Sequence, residues 1–278
     1  MAIPKPHRNL FYSRHLFFTV LLFYVVACAE VPITHRKSLH LVPESELLTM
    51  SLQQYSDVLK KSKLSTDQQK VKMVRKVGFK IAKAAEAFLA EAGQSADIKN
   101  YQWDFNLIED DKTVNAWVMP GGKAAVYTGI LPYTQNETGL AVVLGHEVAH
   151  ALADHGNERM SDALVANMGS MALSVALSSQ PQQTQQLFMT VYGAGANVGF
   201  LLPYSRLHES EADRIGLTLM AHAGYDPREA VPFWERMSKQ EGQRPPQFLS
   251  THPAPETRIA DVKKYLPEAL LYYEKSSK

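Results

Sequence analysis

The chain has 278 residues, 45% of them apolar and 21% charged, with a formal net charge of +1. That length supplies a buried core for one large domain or two small ones, and the composition is ordinary for a globular protein. So even a balance leaves no electrostatic footprint for nucleic acid, and no nucleic-acid partner is expected.

Lys5, Arg8 and Arg14 precede an apolar run from Leu16 to Ala27, with no acidic residue among them. A basic start, a short apolar stretch and a small residue before the cut make residues 1–27 a predicted secretory signal. Losing its three basic residues takes the formal charge from +1 to −2. The run falls well short of the roughly 20 residues that span a bilayer. Val25-Val26-Ala27-Cys28 resembles the lipobox of bacterial lipoproteins, in which the cysteine is acylated and becomes the first mature residue. A buried thiol is the plainer alternative. On the lipobox reading the protein meets the membrane through a lipid anchor, which several acyl chains on one residue make stable. Ala29 in the next position, rather than Asp, then directs it to the bacterial outer membrane, facing the periplasm. Cys28 is the only cysteine, so no internal disulfide can form and folding rests on core and metal.

Residues 28–42, with Pro32 and mixed polarity, read as a tether, and residues 43–278 as one domain. Pro43 to Lys60 is predicted as a first helix. A second starts with a capping box of Ser65 and Gln68, carries Val71, Val74, Ile81 and Phe88 at near-helical spacing, and stops at Gly93. Lys70, Lys72, Arg75, Lys76, Lys80 and Lys83 crowd it, as a solvated face or one turned to anionic lipid. From Tyr101 the period becomes two: Trp103, Phe105 and Leu107 alternate with polar residues, the pattern of a half-buried strand. Pro120-Gly121-Gly122 separates two further apolar runs and predicts a hairpin. Asn115, Ala116, Trp117 and Val118 form its candidate exposed edge.

A helix opening with Thr134 and Glu137 as a capping box then leads into His146-Glu147-Val148-Ala149-His150. Residues four apart share a helix face, so His146 and His150 can grip one metal ion together. Glu147 stands one position round, where a general base for water at the open coordination site is needed. An edge strand beside a catalytic metal commonly takes the substrate backbone as an added strand, the role open to Asn115–Val118. A purely structural hairpin is the alternative. Residues 161–204 hold the apolar runs Met171–Leu177 and Phe188–Leu202 around a glutamine-rich stretch. Neither run reaches 18 uninterrupted residues, so the prediction is a buried helix pair, or a movable cover over the site, rather than membrane spans.

Catalytic zinc takes three protein ligands and keeps a fourth position for water. Glu209 and Asp213, four apart on a predicted helix, can point at one spot: Glu209 to the metal, Asp213 to the N–H of a ligand histidine. Glu211, two residues from Glu209, faces away. His155, His208 and His222 fit no ligand spacing and read as structural or exposed.

His146-Glu147-x-x-His150 followed by Glu209-x-x-x-Asp213 resembles the gluzincin metallopeptidases, and within them the family grouping HtpX, BepA, LoiP and the CAAX prenyl protease. The likeness extends through Asn115-Ala116-Trp117, Pro120-Gly121-Gly122-Lys123, Tyr127-Thr128-Gly129, Tyr204-Ser205-Arg206, Gly224-Tyr225-Asp226-Pro227 and Ser250-Thr251-His252-Pro253. Compact lipoprotein members such as LoiP are the nearest in kind. The resemblance implies an α+β, mostly helical zincin-type fold with a small sheet beside the metal helix, and one Zn2+ per chain held by His146, His150 and Glu209. It implies Glu147 as base and Asp213 and Arg258 as supports of the ligands. It also implies that His252 approaches the metal, as an oxyanion stabiliser or a reversible extra ligand. The expected activity is endopeptidase cleavage of unfolded or misfolded envelope polypeptides. The rival reading is a non-catalytic lipoprotein chaperone that keeps zinc for structure. Nothing in the sequence fixes an oligomeric state.

Overall fold

Directly after the predicted signal, residues 28–39 form a hairpin. The computed structural model describes residues 28–178, 182–183, 186, 205–239, 248–249, 252 and 258–276. The predicted signal, and the apolar run Phe188–Leu202, lie outside them. Strands β1 (Cys28–Glu30) and β2 (Lys37–Leu39) pair antiparallel, with Ala29 opposite Ser38. Residues 28–42, read as a tether, thus carry structure and are docked: Val31 and Ser38 are buried, and Asn157 bonds both backbone groups of Val42.

Helices α1 (Glu44–Lys61) and α2 (Gln68–Glu91) follow, α2 burying Val74, Val77, Ile81 and Leu89 on one face. The expected caps are corrected. Asp67, not Ser65, caps α2, its carboxylate accepting from the backbone N–H of Gln69 and Lys70 at 3.1 Å. Asn136, not Thr134, caps the metal helix in the same way, accepting from Thr138 and Gly139. In both cases a short polar side chain immediately before the first helical residue reaches the free N–H groups better than one two residues earlier. Gly93, at φ 72°, closes α2 as expected.

Strands β3 (Asp104–Ile108), β4 (Ala116–Met119) and β5 (Lys123–Tyr127) form one sheet in the order β3-β5-β4, with β3 parallel to β5. β4 and β5 are the predicted hairpin, Met119 opposite Lys123. Gly121 and Gly122 take φ of 85° and 80°, a region open to glycine at little cost. β4 is an edge strand, with Asn115 just before it.

Against this sheet lies α3 (Glu137–Leu152), buried continuously from Gly139 onward, so it is the core helix of the molecule. α4 (His155–Ala176), α5 (Arg206–His222), α6 (Ala230–Ser238) and α7 (Arg258–Ser276) complete the order. α5 packs between α3 and α7. The expected burial of Met171–Leu177 does not hold. Leu164, Val165, Met168, Met171 and Val175 are exposed on α4, Val175 by 74%. No helix among the described residues is long and apolar enough to cross a membrane. The expected α+β, mostly helical architecture is the one observed.

Candidate metal centre

The site is set by how closely α3 and α5 cross. A Cβ built on Gly216 would lie 2.8 Å from the His146 backbone nitrogen, and one on Gly145 would lie 2.8 Å from the Gly216 carbonyl oxygen. Only glycines let the two backbones meet there. One to two turns up α5 from this crossing, Glu209 and Asp213 face His146 and His150.

His146, His150, Glu209 and His252 each offer one donor atom, all within 4.8 Å of one another and all buried. His150 Nε2 lies 3.1 Å from His146 Nε2, and His146 Nε2 3.3 Å from His252 Nδ1. Glu209 Oε1 is 3.3 Å from His150 Nε2 and 3.0 Å from His252 Nδ1. Zinc bonds of 2.0–2.1 Å in a tetrahedron require donor separations of about 3.3–3.4 Å. These separations are close to what one tetrahedral cation requires. With a metal bound, His146 would donate Nδ1–H to Asp213 Oδ1, 3.0 Å away, and present Nε2 to the ion.

Arg258 braces the set from α7. Its Nε and Nη2 donate to the two carboxylate oxygens of Asp213, and its Nη1 to Glu209 Oε2, each at 2.8 Å. The guanidinium also stacks 3.5 Å over the Trp234 ring, so a buried cation is matched on every side. Burial drives the Glu209 carboxyl upward, but hydrogen bonds from the three histidines overcome it and hold the group well below its usual range. Burial and the Arg258 charge press His146 down, yet Asp213 and Glu209 prevail and push it up to about 9. Burial holds His150 well below 6.5.

Glu147 is 3% exposed, and its Oε1 has no hydrogen-bond partner. The His252 Nε2 approaches it at 3.4 Å. Burial raises this carboxyl, as suits a group that takes a proton from water near neutral pH. His252 is brought in by a segment fixed at Phe248, whose N–H donates to Val114 O at 2.9 Å, just ahead of β4, and whose ring stacks on the imidazole. Of the edge residues, Ala116 is buried and Trp117 and Val118 half-buried, with Trp117 edge-on to Tyr55.

Two residues set aside in the sequence reading belong to this region. His155, fully buried, places Nδ1 2.8 Å from His150 Nδ1, and its Nε2 lies 3.0 Å from Glu211 Oε2. Neither spacing is periodic. Asp154, left-handed at φ 52°, breaks the helix between α3 and α4 and turns His155 back onto its neighbour. The only available signal was a second histidine close behind the motif. His208 lies on the same side, 3.1 Å from Glu158, and His222 stands partly exposed at the far end of α5 near Glu91.

With the geometry in place, the similarities to known proteins are informative. The chain is 39% identical over 198 residues to the mitochondrial metalloendopeptidase OMA1 of Schizosaccharomyces pombe, covering 70% of this chain and 55% of that one. It is 32% identical over 283 residues to OMA1 of Saccharomyces cerevisiae, covering 95% and 76%. It is 33% identical over 165 residues to the beta-barrel assembly-enhancing protease of Escherichia coli K12, covering 57% and 33%. The chain thus spans between a third and three quarters of the length of these relatives. The pattern of peptidase family M48 covers residues 80–266, which hold every donor and support described above, and the chain belongs to that family.

Proposed function

We propose that this protein is a zinc-dependent endopeptidase that cleaves unfolded or misfolded polypeptides of the bacterial envelope. The observation carrying the reading is the buried Glu147 carboxylate, its Oε1 without a hydrogen bond and 3.4 Å from His252 Nε2, beside a group of four possible metal donors. Zinc held by His146, His150 and Glu209 would polarise the scissile carbonyl and acidify a bound water. Glu147 takes the proton of the attacking water and hands it to the leaving amine. Asp213 and Arg258 keep His146 and Glu209 oriented throughout. The free side of β4, from Asn115 to Val118, receives the substrate backbone as a further strand. His252, grouped with the three expected ligands, would act either as a reversible extra ligand that withdraws to admit water and substrate or as a donor to the developing oxyanion.

A closed four-donor set is also what a structural zinc site looks like, and this favours the non-catalytic chaperone as the second reading. Glu147→Gln separates the two. The expected result is full zinc content with cleavage of unfolded outer-membrane protein reduced by about 10²-fold or more. Undiminished cleavage by that variant ends the peptidase reading. For location, the lipobox-like Val-Val-Ala-Cys28 supports a lipid anchor in the outer membrane, while the name of OMA1 favours a mitochondrial setting as the competing one. Labelled palmitate incorporated by wild type and lost in Cys28→Ser is the expected outcome.

A further inference from the structure

His146 and His150 are supported in different ways. His146 gives its Nδ1–H directly to a carboxylate, Asp213, which Arg258 backs. The Nδ1 of His150 meets another imidazole, His155, at 2.8 Å, and the far nitrogen of His155 meets Glu211 at 3.0 Å. Proton placement follows from the donor set. A neutral His150 that presents Nε2 to a metal carries its hydrogen on Nδ1. His155 must then accept at Nδ1 and donate from Nε2, and Glu211 must accept.

Glu211 is itself fixed by the N-terminal hairpin. Arg36 gives it Nε at 2.9 Å and Nη2 at 2.7 Å, and Thr34 donates to its other oxygen. The same guanidinium holds Glu158 through two bonds of 2.7 Å. Two arginine–carboxylate pairs thus flank the donor set. Asp213 with Arg258 is one. Glu211 with Arg36 is the other, one imidazole further out and reaching a segment more than a hundred residues earlier in the chain.

We propose that Glu211 and His155 form a relay that fixes the metal-facing tautomer of His150, with Arg36 of the β1–β2 hairpin holding the relay in place. His155, Glu211 and Arg36 are positioning residues, since none of them reaches the donor cluster itself. The inference rests on reading His150 as a metal ligand. It adds that the docking of the N-terminal segment and the strength of metal binding are one linked property.

The test is zinc affinity of the full chain, measured by competition with a chelator of known Kd, alongside the visible spectrum of the cobalt-substituted protein. His155→Ala is expected to raise the zinc Kd by about 10–100-fold. His155→Gln retains an acceptor towards His150 and a donor towards Glu211, and is expected to return within about threefold of wild type. Arg36→Ala is expected to weaken zinc in the same direction, by less. Wild-type affinity in His155→Ala, or a Gln variant as weak as the Ala variant, overturns the relay. Should His155→Ala fail to fold, Glu211→Met decides: it keeps the length and removes the acceptor, and an unchanged Kd and cobalt spectrum overturn the proposal. These readouts need no proteolysis. A wild-type protein that binds zinc but cuts nothing removes the peptidase reading and leaves the relay standing.

Discussion

His252 bonds Glu209 through Nδ1 and faces Glu147 through Nε2, so one imidazole touches both the donor set and the base. If it is the reversible extra ligand proposed above, it must leave before water can enter, which lowers the competent fraction of the enzyme and its apparent activity. His252→Ala is therefore expected to raise cleavage of an unfolded substrate by about threefold or more while loosening zinc. A fall in kcat with zinc still bound would assign the residue to the oxyanion instead. The residues of this site differ in how they could be read beforehand. His146 and His150, and likewise Glu209 and Asp213, stand four apart on helices, and period alone pairs them. His252 lies beside Pro253 in a segment without period, and only the family resemblance pointed to it. His155 and Glu211 were passed over because their partners lie across a helix break and a turn away on α5, where no sequence spacing signals contact.

The α3–α5 crossing shows what a single methyl group would do to an element. Gly216→Ala puts a Cβ within 3.0 Å of Gly145 C and His146 Cα, both backbone atoms that cannot swing aside. Alanine gains roughly 0.5–1 kcal/mol of helix preference over glycine, but forcing extra volume into a tight contact costs about 1–3 kcal/mol. The expected outcome is a lower melting temperature together with weaker zinc binding, because Glu209 moves away from His146 as the helices part. Gly224→Ala, with nothing within 4 Å but a φ of 79°, is the contrasting control: it would strain a turn and leave zinc binding untouched. At this scale the existence of elements was legible. The hairpin, its edge and the two-residue period of β3 are all local patterns. Helix starts were displaced by two residues at Asp67 and Asn136, where the nearer cap prevailed. Met171–Leu177, expected to be buried, is largely exposed, and the second run of the expected pair, Phe188–Leu202, lies outside the described residues.

Across the whole molecule, the hairpin of residues 28–42 is joined to α4 and α5 by buried charge, and this makes its docking depend on pH. Burial raises Glu158, but bonds from His208 and Arg36 outweigh it and bring it from 4.5 to about 2. Glu211 moves the same way, to about 2, through His155, Arg36 and Thr34. A carboxyl depressed in the folded state stabilises above its unfolded value and loses that contribution as pH falls through the folded one. The carboxylate step thus lies between about 4.5 and 2. Burial lowers His155 from 6.5 to about 4, so the folded state prefers it neutral and loses stability as pH falls across that interval. Urea unfolding of the metal-free protein is expected to show a midpoint that declines in both windows, with Arg36→Ala shrinking the lower one. A midpoint that is flat from pH 7 to 3 would contradict this.

The solitary Cys28 means that no sulfur–sulfur staple links distant parts of this chain, yet His146 and His252, 106 residues apart, converge on one point. An ion held there acts as the missing staple, and it is a removable one. With free metal at about a thousand times its Kd, the native state gains about 4 kcal/mol, a large share of what a domain ordinarily has in hand. Sequestering agents in a purification buffer would thus strip out a cross-link along with a cofactor, and the apparent heat tolerance of the preparation would record its zinc history as much as its sequence.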